Sequence, residues 1–316
     1  MKAFALTSPD QPAGLVDLPD PAASVGGVRV RVHAASVNGF DVFEASGYLV
    51  ALMPHDLPTI IGRDFAGIVD GVGADRSGVA VGDKVFGFIT SMPPLQVGTF
   101  AELVAEDARL VIAHKPAAVS FEAAAAIPLA GSTALDSVDA VGAEAGQTIL
   151  IVGATGGVGS FAVQLAAQRG ATVIATAREG DEAAWITDLG AAETIDYTTE
   201  DIVEAVRASY PDGVDVLIDA VSRDEAFTKA AGLVRDGGRI ASTLGAADVE
   251  ALAVRGITAV NIMGTPTSEK LSALAAQVDA GTLRVHIQAT FPLAEAPAAL
   301  AAFAAGTQGK IVLAIG

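Results

Sequence analysis

The sequence predicts an α/β protein in which a doubly wound parallel sheet is inserted into a smaller, mostly β domain. Three observations carry this. From Thr148 onward short apolar strands alternate with helical segments, the pattern of a parallel sheet with crossover helices. Before about residue 118 the texture changes to short strands, frequent Gly and Pro, and no regular helix spacing. The tail then resumes that first texture. At 316 residues the chain exceeds the size at which one core keeps growing, so two domains are expected. We place them at 1–118 with 264–316, and at 119–263.

In order along the chain, "GGVRVRVHAASV" and "FAGIVDGVG" read as strands of the first domain. The Ala-rich "FEAAAAIPLAG" reads as a helix and opens the insertion. The strands "TILIV", "ATVIATA", "AETIDY", "VDVLIDAV", "GGRIAST" and "ITAVNIM" follow, with helices after Gly157, Gly180, Thr199, Arg223 and Gly245. Then "RVHIQATFPL" and "KIVLAIG" read as strands flanking the Ala-rich helix "APAALAAFAAG".

Composition removes several functions. Lys and Arg number 19 against 37 Asp and Glu, a net charge of -18, and the cations are scattered, which argues against a nucleic-acid partner. There is no cysteine, so disulfides, thiolate zinc sites, iron-sulfur clusters and Cys nucleophiles are all excluded. His33, His55, His114 and His286 lie far apart without metal-ligand spacing, and each is expected at the surface or as a satisfied core residue. No G-x-S-x-G elbow occurs. The start meets Asp and Pro before any apolar core of signal-peptide length, so a soluble, cytoplasmic protein without a membrane partner is expected.

The stretch "TILIVGATGGVGSFAVQLAAQ" is long and uncharged enough to be weighed as a membrane span. Its internal order decides otherwise. An apolar run is followed by Gly153, Gly156, Gly157 and Gly159 and then by helix formers, which reads strand, turn, helix. Gly153-x-x-Gly156-x-x-Gly159, one residue off G-x-G-x-x-G, reads in that context as a phosphate cradle, with a tight strand-to-helix turn that holds no ligand as the other reading: a pyrophosphate sits against unpaired N–H groups at a helix N-terminus, and a side chain at the closest glycine would block it. The second strand of the unit ends in Thr176, Ala177, Arg178 without an acid. Arg178 can pair with a 2'-phosphate, a charged hydrogen bond worth roughly 1.5 to 3 kcal/mol, and this favours NADPH over NADH. The alternative is that Arg178 pairs on the surface with Glu179, Asp181 or Glu182.

Taken with these residues, "SVNGFDVFEASGYL", "IIGRDFAGIVDGVG", "GDKVFGF", "GTFAELV", "AAAAIPLAGSTALDSV", "VDVLIDAVS" and "GKIVLAIG" follow one family's order. The chain resembles the medium-chain dehydrogenase/reductase superfamily, in its zinc-free, zeta-crystallin-like quinone oxidoreductase branch. The resemblance implies a GroES-like β-barrel catalytic domain built from both chain ends around an inserted Rossmann domain. Zinc-dependent relatives carry Gly-His-Glu where this chain has Gly62-Arg63-Asp64, and zinc polarisation is therefore not expected. The implied activity is NADPH-dependent hydride transfer to a small molecule, a quinone or an α,β-unsaturated carbonyl. A dedicated biosynthetic enoyl reductase and a low-turnover NADPH-binding redox sensor are the alternatives.

The resemblance also implies the site. Asn38 would lie near the nicotinamide ribose, with the plain turn former before Gly39 as the other reading. Thr133, Gly153, Thr155, Gly156, Gly157, Val158, Gly159, Thr176, Arg178, Tyr197, Val221 and Leu244 would contact the cofactor. Tyr48 stands as a proton donor or as simple lining, and solvent is the other proton source. Phe43 occupies the place of a Tyr in some relatives, and Glu182 that of a Lys. Phe40, Phe43, Tyr48, Phe88, Met92 and Leu95 are candidates for an apolar substrate lining. Family members commonly dimerise through the last strand of the nucleotide sheet, here "ITAVNIM", so a homodimer is expected.

Overall fold

The computed structural model describes residues 1–106 and 109–316. It divides into two compact units, Met1–Leu129 with Pro266–Gly316, and Ala130–Thr265.

The first unit is mostly β. Strands β1 (Lys2–Leu6), β2 (Gly14–Asp17), β3 (Val28–Ser36), β4 (Thr59–Ile60), β5 (Asp64–Val72), β6 (Lys84–Ile89), β7 (Leu103–Glu106) and β8 (Leu110–His114) precede the second unit. After it come β15 (Ile287–Pro292) and β16 (Lys310–Ala314). They form a three-stranded sheet, β2-β1-β4, and a seven-stranded one ordered β15-β16-β3-β5-β6-β8, with β7 also paired to β3. Strand β3 alternates buried and half-exposed residues at first, as a sheet with one wet face requires, and its final stretch, Ala34 to Ser36, is wholly buried. There it is flanked by β16 and β5, with Ser36 opposite both Val312 and Asp64. One core gathers Phe4, Leu6, Val37, Ile61, Phe100, Ile311 and Leu313, and a second gathers Val30, Val32, Phe65, Val69 and Ile112. Each such burial contributes about 1.5 to 3 kcal/mol.

Two helical features were not read from the sequence. Helix α1 (Gly39–Ala45) interrupts the β texture, and α9 (Ser268–Asp279) precedes the tail, capped by Thr267 accepting from the Lys270 N–H. The segment "FEAAAAIPLAG" forms two helices: α2 (Phe121–Ala125) ends before Pro128, which opens α3 (Pro128–Ala140). Proline suits a first helical position and cannot continue a helix. Helix α10 (Ala296–Ala304) falls where the Ala-rich run predicts it.

In the second unit β9 (Thr148–Val152), β10 (Thr172–Thr176), β11 (Glu193–Ile195), β12 (Val214–Asp219), β13 (Val234–Ser242) and β14 (Thr258–Asn261) form one parallel sheet ordered β11-β10-β9-β12-β13-β14. The connecting helices are α4 (Gly157–Gln168), α5 (Asp181–Asp188), α6 (Ile202–Ser209), α7 (Asp224–Ala231) and α8 (Val249–Ala253). All six strands were predicted, and the order reverses between β9 and β12, the position at which doubly wound sheets take their ligands. No described helix is long and apolar enough to cross a membrane.

Candidate active site

In the second unit every strand from β9 to β13 delivers a predicted residue just past its C-terminal end. After β9 the chain turns at Gly153, whose φ of +79° suits glycine and whose added Cβ would meet Val221 at 3.0 Å. The Gly153 N–H donates to Thr176 Oγ1 at 2.9 Å, so the end of β10 pins the turn. Gly159 is required by packing: a Cβ there would lie 2.1 Å from the Gly153 carbonyl oxygen. Gly156 differs from both, because its φ of -71° and ψ of 175° are open to any residue. The Ser160 N–H reaches the Gly156 carbonyl at 2.9 Å, and helix geometry leaves the first-turn amides of Gly157, Val158 and Gly159 for a ligand. Thr155 lies buried in the turn.

Past β10, Arg178 is 60% exposed in its side chain, and Glu182 holds it: the Arg178 Nε donates to Glu182 Oε1 at 2.9 Å and its backbone N–H to Oε2 at 3.1 Å, with a further guanidinium contact. That bond holds the Glu182 carboxyl below its ordinary pKa and raises the guanidinium. Of the alternative pairings, Glu182 is the partner. The other terminal guanidinium nitrogen, with two N–H groups, makes no hydrogen bond among the described residues. Past β11, Tyr197 is 46% exposed beside Asp196, which is pulled down to about 2 by the Thr198 hydroxyl and by the backbone N–H groups of Glu179 and Thr198. Past β12, exposed Val221 is set by Asp219, whose Oδ1 accepts from the Val221 and Ser222 N–H groups at 3.0 and 2.7 Å. Leu244 lies in the turn after β13, half-buried, and Thr133 is buried in α3.

In the first unit Asn38 stands between β3 and α1, 7% exposed. Its Nδ2 donates to Asp64 Oδ2 at 2.9 Å, and its Oδ1 accepts from Lys310 Nζ at 2.6 Å. Asp64 also accepts from Ser36 Oγ at 2.9 Å and from the Leu129 N–H at 3.1 Å, and Lys310 also donates to the Val37 carbonyl at 3.0 Å. Burial pushes the Asp64 carboxyl up against the pull of Lys310, and burial lowers the Lys310 ammonium. Sequence reasoning missed Asp64 and Lys310 as site residues. The signal was a lysine opening a strand whose next three residues are buried and apolar.

Beside this chain lies a second buried group. Asp41, Glu44, Arg63 and the His55 side chain are each at most 1% exposed. Arg63 pairs with Glu44, donates to the Val97 carbonyl at 3.0 Å and sits 5.1 Å from the Phe40 ring centroid. Asp41 Oδ2 accepts the Asn38 N–H at 2.8 Å, while Asp41 Oδ1, Glu44 Oε2, His55 Nε2 and Arg63 Nε find no partner among the described residues. Burial and the neighbouring Glu44 push Asp41 up to about 8, and burial outweighs Arg63 to push Glu44 up to about 7. His55 is held at one ring nitrogen, Nδ1 lying 2.8 Å from the Met53 carbonyl oxygen, while Nε2 stands 4.0 Å from Glu44 Oε1, so the expectation of a satisfied core histidine is met at Nδ1 and not at Nε2.

Tyr48 opens a 3-10 turn (Tyr48–Ala51), 60% exposed, its ring centroid 5.8 Å from that of Phe43. Its hydroxyl makes no hydrogen bond among the described residues. Of the residues expected to line an apolar cleft, Phe43, Tyr48 and Met92 are exposed, Phe40 is half-buried, and Phe88 and Leu95 are buried.

Residues 24–117 match the family described as "Alcohol dehydrogenase GroES-like domain", and residues 189–313 match "Zinc-binding dehydrogenase". A quinone oxidoreductase from Pseudomonas aeruginosa is 34% identical over 304 residues, covering 90% of each chain. The chloroplastic NADPH-dependent alkenal/one oxidoreductase of Arabidopsis thaliana is 34% identical over 223 residues, 69% of this chain and 55% of that protein; the match spans about half of that relative's length. The structure of the quinone oxidoreductase from Coxiella burnetii superposes with a TM-score of 0.89 at 31% identity, covering 100% of this chain and 99% of that one. A GroES-like domain joined to a Rossmann sheet defines a medium-chain dehydrogenase/reductase. The chain belongs to that superfamily, in its zinc-free quinone oxidoreductase family. A zinc ion does not fit the residues present: Arg63, where the resemblance places the His of zinc-dependent relatives, is paired with Glu44, and no cysteine exists in the chain.

Proposed function

We propose that the chain is an NADPH-dependent, zinc-independent oxidoreductase that reduces quinones or α,β-unsaturated carbonyls. The observation that carries this is the glycine turn at the sheet's switch point, where Gly156 has backbone angles open to any residue, with an arginine past the end of the neighbouring strand. Names of relatives with both acceptor types support it. When bound, NADPH supplies a hydride for the acceptor's electrophilic carbon or quinone oxygen.

The chain's own residues do the rest. The first-turn amides of α4 and its dipole hold the pyrophosphate. Arg178 meets the 2'-phosphate with its uncommitted N–H groups, and Tyr197 packs beside it. Thr133, Thr155, Val158, Val221 and Leu244 shape the remaining contacts, Asn38 engages the nicotinamide ribose, and Tyr48 or solvent provides the proton. Following NADPH consumption with a panel of quinones and enones tests this; binding of NADPH without turnover of any acceptor would contradict it.

The same reading includes a homodimer. Strand β14 is one of the two edges of the parallel sheet, β11 being the other, and Val254 and Met263 near the ends of β14 are 88% and 87% exposed. Light scattering at micromolar concentration should give twice the chain mass, and Val260→Pro should return the monomer.

A further inference from the structure

The hydrogen-bonding capacity of Asn38 is almost used up inside its own unit. A side-chain amide has two N–H donors and an oxygen with two lone pairs. One N–H goes to Asp64 at 2.9 Å and the other faces the Ser36 carbonyl at 3.4 Å; the oxygen accepts from Lys310 at 2.6 Å. Lys310 can only donate. Asp64 receives three donors, from Ser36, Asn38 and Leu129, the environment of an acceptor. Turning the amide over would set NH2 against an ammonium and oxygen against a carboxylate, so its orientation is fixed. The backbone is held separately, through the Asn38 N–H on Asp41.

What remains is a single lone pair on Asn38 Oδ1. We propose that Lys310 and Asp64 are positioning residues that lock Asn38 as an acceptor, so that it holds a ligand hydroxyl of the nicotinamide ribose and does not donate to a developing oxyanion. This rests on the NADPH reading above. Burying a lysine and a carboxylate side by side is costly, and truncating one partner leaves the other charge uncompensated. An amide bridged between them exploits both charges: each polarises the hydrogen bond it makes, and neither can relax toward water. Stabilisation of an oxyanion then falls to another donor, Tyr48 or solvent.

The test is an exchange of groups. Asn38→Asp alone places two carboxylates in contact, whereas Asn38→Asp with Asp64→Asn keeps one ammonium, one carboxylate and one amide and restores the pairings with Lys310, between positions 38 and 64, and from the Leu129 N–H, losing only the long contact to the Ser36 carbonyl and turning the Ser36 hydroxyl from donor to acceptor. NADPH affinity is read by cofactor fluorescence, folding by thermal melting, and adenosine 2',5'-bisphosphate, which lacks the nicotinamide ribose, serves as the control ligand. We expect Asn38→Asp and Lys310→Met to bind NADPH at least about tenfold more weakly than wild type. The exchanged pair should return to within about threefold, and the bisphosphate should bind all variants alike. If Lys310→Met does not fold, the exchanged pair, which keeps Lys310, decides alone. An exchanged pair no better than Asn38→Asp, or a bisphosphate affinity that falls in step with NADPH, would overturn the lock. A wild-type chain that binds the bisphosphate but not NADPH overturns the lock too, and one that binds neither overturns the functional reading as well.

Discussion

The two units organise polar groups in opposite ways. Past the strand ends of residues 130–265 the groups proposed to face the cofactor are mainly main-chain: the amides at the start of α4 and the turn fixed by Gly153 and Thr176, with the charged Arg178 still exposed to water. In the other unit the work falls on side chains with almost no exposure: Asn38, Asp64 and Lys310 in one chain, and Asp41, Glu44, His55 and Arg63 beside it. A main-chain site tolerates many substitutions and fails when something fills its space. A buried ionic site fails when any one charge is removed, because the partner cannot be rehydrated.

The sharpest consequence is on stability. Glu44→Ala should cost about 3 to 5 kcal/mol by urea denaturation, because it leaves Arg63 charged and unpaired. Glu44→Leu with Arg63→Met should recover most of that loss, whereas an equal loss in the pair would show that the cavity, not the charge, sets the cost.

On the main-chain side, Gly156→Val should weaken NADPH at least about a hundredfold, roughly 2.7 kcal/mol, while the chain stays folded with only the small loss of melting temperature that a poorer helix N-cap brings, since the backbone angles there accept valine. Retained binding would remove the ligand from that turn. Arg178→Ala should raise the KM for NADPH by about ten- to a hundredfold and leave that for NADH nearly unchanged. Equal effects would leave Arg178 as a surface partner of Glu182.

A smaller effect concerns pH. Asp41 in the folded chain titrates at about 8, above its ordinary value, so the folded state binds the extra proton between roughly pH 4 and 8. Its contribution is therefore complete at low pH and is lost as pH rises through 8. Asp41→Asn, which keeps the oxygen that accepts the Asn38 N–H, should gain a few degrees of melting temperature at pH 8.5 relative to pH 5.5. A parallel shift at both values would contradict the assignment. Smallest of all, EDTA should leave activity unchanged; a loss restored by zinc would reopen the metal question despite Arg63.

The contrast also explains what the sequence disclosed. Strands of the parallel sheet are buried on both faces and appear as apolar runs, and a glycine turn between strand and helix leaves a local signature, so Gly153 to Gly159 and Arg178 were legible. The Asn38 chain joins residues 26 and 272 positions apart, brought together only when β16 and β5 flank β3. Nothing local marks Lys310 as a partner of Asn38. Likewise Glu182 was readable as a nearby acid, but its near-burial, which makes it the partner of Arg178 in place of Glu179 or Asp181, depends on the packing of α5.

Metal-free hydride transfer from NADPH to a small electrophile, the activity proposed for this chain, leaves an isotopic trace. The most direct measurement uses NADPH deuterated at the transferable position with a mixed panel of quinones and enones, followed by mass spectrometry of the products. Oxidised cofactor without the label is expected, together with deuterium at the β-carbon of a saturated ketone or stoichiometric hydroquinone. Unchanged NADPH and unchanged acceptors, with the cofactor demonstrably bound, would contradict it.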